Sequence, residues 1–220
     1  MPEYRWPEMS KRKVMGKRLN RLDGIEKASG RAKYCSDLNK PGMLHGATLV
    51  CPYAHARVKS IDTSAAEKHP GVVGVRVVSP PGTEIYWAHC EVAFVAAESE
   101  LAAKDALKKI RVEYEVLPHV VIEKDLNKVQ ANAKAAGEQI EGDPDQALKE
   151  AAVVSEGLYG IPVLEHCCLE PHGQVISWTP DNKVEYNPST QAVTSIRGDM
   201  ARALNVPAAN VHVHQDHIGG

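Results

Sequence analysis

Apolar runs bounded by proline and glycine divide this chain into alternating strand and helix segments. Met43 to Val50 is apolar between Pro41-Gly42 and Pro52, which predicts a buried strand. Arg57 to Ile61 alternates charged with apolar positions and predicts a half-exposed strand. Asp62 then stands where a helix cap belongs, ahead of a short helix over 63–69 that Pro70-Gly71 stops. The β-branched run Val72 to Val78 predicts a strand. The order then repeats: a strand over 92–97, an amphipathic helix over 98–109, and a strand over 110–116. In that last strand Ile110, Val112, Tyr114 and Val116 share one face.

Residues 124–142 are polar, rich in alanine and without a period, and read as a connector. Beyond them Asp143 is placed to cap a helix through Glu150, and Val153 to Val163 is strand-like. Val175 to Trp178 and Lys183 to Tyr186 flank Pro180-Asp181-Asn182 as a hairpin. A helix is expected from Ser189 or Thr190 to Asn205, stopped by Pro207, and Val211 and Val213 open a final strand. This pattern predicts an α+β protein with an arm at 1–22, a layered domain at 23–123, the connector at 124–142 and a second domain from 143 to 220. A glycine pair after a strand normally opens a turn or ligand loop, so the second domain is expected to be truncated.

Composition narrows the function. A net charge of −2 lacks the basic excess of a nucleic-acid binder. No apolar run approaches the roughly 20 residues of a membrane span. The basic cluster Lys11, Arg12, Lys13, Lys17 and Arg18 is followed by no apolar core, so it reads as a solvated leader and not a secretory signal. The five cysteines (Cys35, Cys51, Cys90, Cys167 and Cys168) form neither a disulfide framework nor a C-x-x-C metal pair, which suits a reducing, cytoplasmic setting.

A series of short motifs carries a resemblance. R-L-D-G-I-E-K-A-S-G-R-A-K-Y from Arg21 to Tyr34 is followed by P-G-M-L-H-G (41–46), C-P-Y-A-H-A-R (51–57), I-D-T-S-A (61–65), E-V-A-F-V-A-A-E (91–98) and V-E-Y-E-V-L-P (112–118). In this order the series resembles the a/b hammerhead domain of the xanthine dehydrogenase/aldehyde oxidase family. Gly142-Asp143 with Ala147, the H-C-C-L-E-P loop at 166–171 and Ser189-Thr190-Gln191 are similar to that family's molybdopterin-binding domain. Gly219-Gly220 stand 28 positions beyond Gln191, where the family's Gly-Gly-x-Phe-Gly loop begins. The stretch between Val78 and Glu91 is shorter than in relatives, and Cys90 stands where many have glycine.

The resemblance implies the N-terminal part of a molybdenum hydroxylase subunit. Complete, such a subunit oxidatively hydroxylates an aldehyde or N-heterocycle with oxygen from water; this segment alone is expected to be inactive. Implied with it are a molybdenum–molybdopterin cofactor, and 2Fe-2S and FAD groups on an iron–sulfur small subunit and a FAD subunit. Gln191 would be a neutral donor beside the molybdenum oxo group, and Gly219 and Gly220 would let backbone approach the cofactor. The pterin holds the metal, so no protein metal ligand is implied. Glu165 reads as a loop residue and Glu170-Pro171 as loop architecture near the cofactor, the family's general base lying beyond Gly220.

A second pattern overlaps the same end. His212-x-His214-x-Asp216-His217-x-Gly-Gly spells the zinc signature of metallo-β-lactamase-type hydrolases, with His212 and His214 on one strand face. Against it, no later ligands follow, no long apolar strand precedes it, and the upstream motifs belong to another family. A non-catalytic assembly module is the third reading.

Overall fold

The computed structural model describes residues 6–121, 137, 139–161 and 164–220. Its fold is α+β. The chain divides into two compact units, one of residues 40–159 and one in which the residues before Lys40 group with those from Gly160 onward. Segment 23–39, expected with the first domain, therefore groups with the C-terminal residues. The expected arm carries one turn of 3-10 helix, Met9–Lys11, and the first helix, α1, spans Gly24–Ala28. The connector at 124–142 lies largely outside the described residues.

In the unit of residues 40–159 the strands are β1 (His45–Val50), β2 (Ala56–Asp62), β3 (Val72–Val77), β4 (Glu84–Ile85), β5 (Glu91–Ala97) and β6 (Arg111–Val116). They form two three-stranded antiparallel sheets in the orders β1-β5-β3 and β4-β2-β6. Helix α2 (Ser64–Glu67) starts one residue later than expected for a cap at Asp62. Asp62 Oδ1 nevertheless takes up the Ser64 N–H at 3.0 Å, so the residue does the work of a cap from one position further out. Helix α3 (Glu100–Leu107) is shorter than the predicted 98–109 because Ser99 caps it, its hydroxyl accepting from the Ala102 N–H.

Small residues let α3 lie close on the first sheet. Ala103 and Ala106 are fully buried against Ala93, Val95 and Ala97 of β5, with Ala66 of α2 and Ile110 completing the layer. Close packing of this kind tolerates no added volume, and overpacking such a site costs about 1–3 kcal/mol. The second sheet buries Cys51, Ala56, Val58, Ile85 and Val92. Strand β4 was not legible in the pattern: it is two residues long, inside the shortened stretch before Glu91. Helix α4 (Pro144–Glu150) begins as expected, with Asp143 Oδ1 accepting the Gln146 N–H at 2.9 Å.

The strand expected over 153–163 is absent among its described residues, where Val153, Leu158, Tyr159 and Ile161 are all exposed. A strand needs a neighbouring ladder as well as an apolar run, and the described part of this segment pairs with none.

The other unit holds a mixed sheet of β7 (Gln174–Trp178), β8 (Val184–Pro188) and β9 (Val211–Val213), antiparallel at β7–β8 and parallel at β8–β9. The hairpin turns at Asn182, whose φ of 61° is one that asparagine tolerates. Helix α5 (Val193–Leu204) packs Ile196, Met200, Ala201 and Leu204 on Val184, Tyr186 and Val211. It starts at Val193 and not at Ser189 or Thr190, because Thr190 Oγ1 accepts the Ala192 N–H at 3.0 Å and closes a local turn instead. Asn205, in the left-handed region at φ 53°, ends it.

A charged cluster ties β2, β4 and β6. His55 donates from Nδ1 to Pro118 O and from Nε2 to Glu84 Oε1, both at 2.8 Å, and Arg57 bridges Glu84 and Glu115. The Pro118 carbonyl and then Glu84 raise the His55 pKa above 6.5, while His55 and then Arg57 lower that of Glu84 below 4.5. For His55, the stabilisation is complete below its unfolded value and is lost as pH rises through the raised folded value. For Glu84 it is complete above its unfolded value and is lost as pH falls through the lowered one. The stability difference between the native protein and His55→Asn is expected to be largest between pH 4.5 and 6.5 and to shrink in alkaline buffer, as urea titrations will show.

Candidate functional site

Parallel pairing of β9 with β8 carries the chain beyond Val213 past three other segments of the same unit. Gly219 N–H donates to Glu170 Oε2 at 2.7 Å, and Gln191 Nε2 donates to Gly220 O at 3.3 Å. Lys27 Nζ donates to Ile218 O at 2.8 Å, and His217 lies against Tyr34 with its Nε2 3.3 Å from Glu26. The structure thus brings Gln191 and the glycine pair together, although Gly219 lies 28 positions beyond Gln191.

Both glycines are sterically required. A Cβ on Gly219 would lie 2.4 Å from Glu170 Cβ, and one on Gly220 would lie 2.1 Å from Cys168 Cβ. Gly220 also holds a φ of +150°. The close approach expected of these glycines is therefore made, within this chain, to the 168–170 loop. Glu170 is the residue that the sequence did not single out as a partner. It is buried, and its Oε1 has no hydrogen-bond partner among the described residues, so it offers an acceptor beside Gly219. Gln215 Oε1 and His217 Nδ1 are likewise buried without partners among the described residues.

Near these groups is a cavity of about 80 Å³ with Tyr34, Cys35, Asn187, Gln215 and His217 in its wall. Burial, with the Glu170 carboxylate adding to it, pushes the Cys35 thiol pKa up. Glu165 is exposed.

The four residues of the histidine motif do not converge. His212 and His214 gather at Glu185, whereas His217 turns to Glu26 and Tyr34, and Asp216 joins neither group among the described residues. Strand β9 ends at Val213, so the alternation that aligns the first two histidines does not extend to the next two.

Two family descriptions match the chain: the aldehyde oxidase and xanthine dehydrogenase a/b hammerhead domain over residues 29–79, and the molybdopterin cofactor-binding domain over 125–220. The aldehyde oxidoreductase molybdenum-binding subunit PaoC of Escherichia coli K12 is 28% identical, over 94% of this chain and 31% of that protein. The nicotinate dehydrogenase large molybdopterin subunit of Eubacterium barkeri is 27% identical, over 94% of this chain and 54% of its own length. Quinoline 2-oxidoreductase from Pseudomonas putida 86 superposes with a TM-score of 0.80 at 27% identity, covering 96% of this chain and 31% of that one. The chain thus spans from about a third to a half of these relatives. The matches agree with the molybdenum reading of the sequence and not with the zinc-hydrolase reading of 212–217.

The steric contact at Gly219 is directly testable. Gly219→Ala is expected to destabilise the protein by about 1–3 kcal/mol in urea unfolding. Gly198→Ala is the control: its Cβ meets nothing within 4 Å. It lies inside α5 and is expected to stabilise by about 0.5–1 kcal/mol.

Proposed function

Because the chain belongs to the aldehyde oxidase and xanthine dehydrogenase family of molybdenum oxidoreductases, we propose that its C-terminal unit forms one wall of a molybdopterin site. The observation that carries this reading is the meeting of Gln191 with Gly219-Gly220 beside a buried, half-satisfied Glu170. These residues fit such a group. Gln191 supplies a neutral amide that can donate without adding charge, and Glu170 Oε1 supplies an acceptor for a pterin-type N–H. The glycine pair leaves backbone, not side chain, at the contact surface.

Bound there, the molybdenum cofactor would supply the two-electron redox couple for hydroxylating an aldehyde or N-heterocycle with oxygen from water. This chain's own residues take positioning roles. Gln191 orients by hydrogen bonding, its turn fixed by the Thr190 hydroxyl, and Glu170 holds Gly219 in place. Electrons would pass to 2Fe-2S and FAD groups on an iron–sulfur small subunit and a FAD subunit. No described helix is long and apolar enough to cross a membrane, and five free cysteines suit a cytoplasmic setting.

The test is to purify the protein with its accompanying subunits from a host that makes the cofactor, then measure molybdenum, pterin and turnover of aldehydes and N-heterocycles. Gln191→Ala is expected to lower turnover by roughly ten- to a hundredfold while molybdenum content is kept, as for loss of a group that supports a metal site. A folded protein without molybdenum would overturn the proposal. Full turnover in Gln191→Ala would overturn the role given to Gln191.

A further inference from the structure

The face of the mixed sheet opposite α5 carries a second cluster. Val184 and Tyr186 of β8 and Val211 and Val213 of β9 pack with α5, so the residues that alternate with them point the other way. Register pairs Glu185 with His212, and a period of two sets His214, just past the end of β9, beside them. The His214 N–H donates to the Tyr186 carbonyl at 2.8 Å, which continues the pairing by one residue and holds that side chain in place.

We propose that Glu185, His212 and His214 form a binding site for a divalent transition-metal ion of the zinc class, which clamps β9 to β8. Their ligand atoms all lie within 4.8 Å of one another. Glu185 Oε2 is hydrogen-bonded to His214 Nε2 and lies 3.6 Å from His212 Nδ1, and the two imidazoles have centroids 4.2 Å apart. Ligands of a tetrahedral ion at 2.0–2.1 Å lie roughly 3.4 Å from each other, so small side-chain rotations bring all three onto one ion.

Two imidazoles and a carboxylate are a donor set that zinc takes, with a fourth position left open. Nitrogen donors select against magnesium and calcium, which prefer all-oxygen shells. An ion here would bind two strands joined by three register pairs and so restrain the 215–220 segment that follows. This site shares His212 and His214 with the sequence motif but has Glu185 in place of Asp216 and His217.

Zinc titration of the untagged, full-length protein by calorimetry, with magnesium as comparison, tests the site independently of molybdenum content or turnover. One zinc per chain is expected, with magnesium binding at least about a hundredfold weaker. His212→Gln and Glu185→Gln are each expected to weaken zinc by at least roughly tenfold. His212 is exposed, so its variant will fold, and circular dichroism without metal is expected to match the native protein. Asp216→Asn and His217→Gln are expected to leave zinc affinity unchanged. Absence of saturable zinc binding overturns the proposal. So does binding that survives His212→Gln and Glu185→Gln, or that is lost with Asp216→Asn and His217→Gln.

Discussion

Three register pairs between β8 and β9 carry much of the arrangement in the C-terminal unit. A parallel pair cannot be closed by a tight turn, so the chain must cross over, and α5 makes that crossing. The helix packs on the apolar face of β8 and β9 and leaves Glu185, His212 and His214 on the other. The pairing also sets the direction in which the chain leaves β9, and that direction brings Gly219 to Glu170 and Gly220 to Gln191. A slip of one residue in β9 would turn the histidines into the helix and move both glycines off their partners.

The last contacts leave almost no freedom. Neither glycine can carry a Cβ, and Glu170 gives one oxygen to Gly219 while the other is buried without a partner among the described residues. A buried acceptor without a donor is unfavourable in isolation, so each such group calls for a partner from water, an ion or a ligand. The same logic applies to Gln215 Oε1 and His217 Nδ1. This concentration of polar groups near the glycine pair is consistent with the polar cofactor proposed there.

Much of this was legible in the chain because it depends on local rules. The capping of α4 by Asp143 and the hairpin around Asn182 each follow from a few neighbouring residues, whereas the alternation expected through β6 stops at Tyr114, Val116 being exposed. The pairing of Gln191 with the glycines was legible only through the spacing of motifs. Other features depend on partners far away in sequence. Glu170 meets Gly219 across 49 positions, and an E-P loop says nothing of that contact. Glu185 sits at an ordinary polar position of an alternating strand, so only register reveals its histidines. The apolar run at 153–163 matched a strand pattern, but no ladder receives its described part. Thr190 favoured a helix start by type, yet its hydroxyl closes a turn and delays the helix to Val193.

The central claim, that Gln191, Glu170 and the glycine pair form one cofactor wall, is tested most directly by amide hydrogen exchange on cofactor-loaded and cofactor-free protein. The account predicts that loading slows exchange in three stretches of this chain together: 168–171, 190–192 and 215–220. Protection confined to other segments, or no difference in these three, would contradict it.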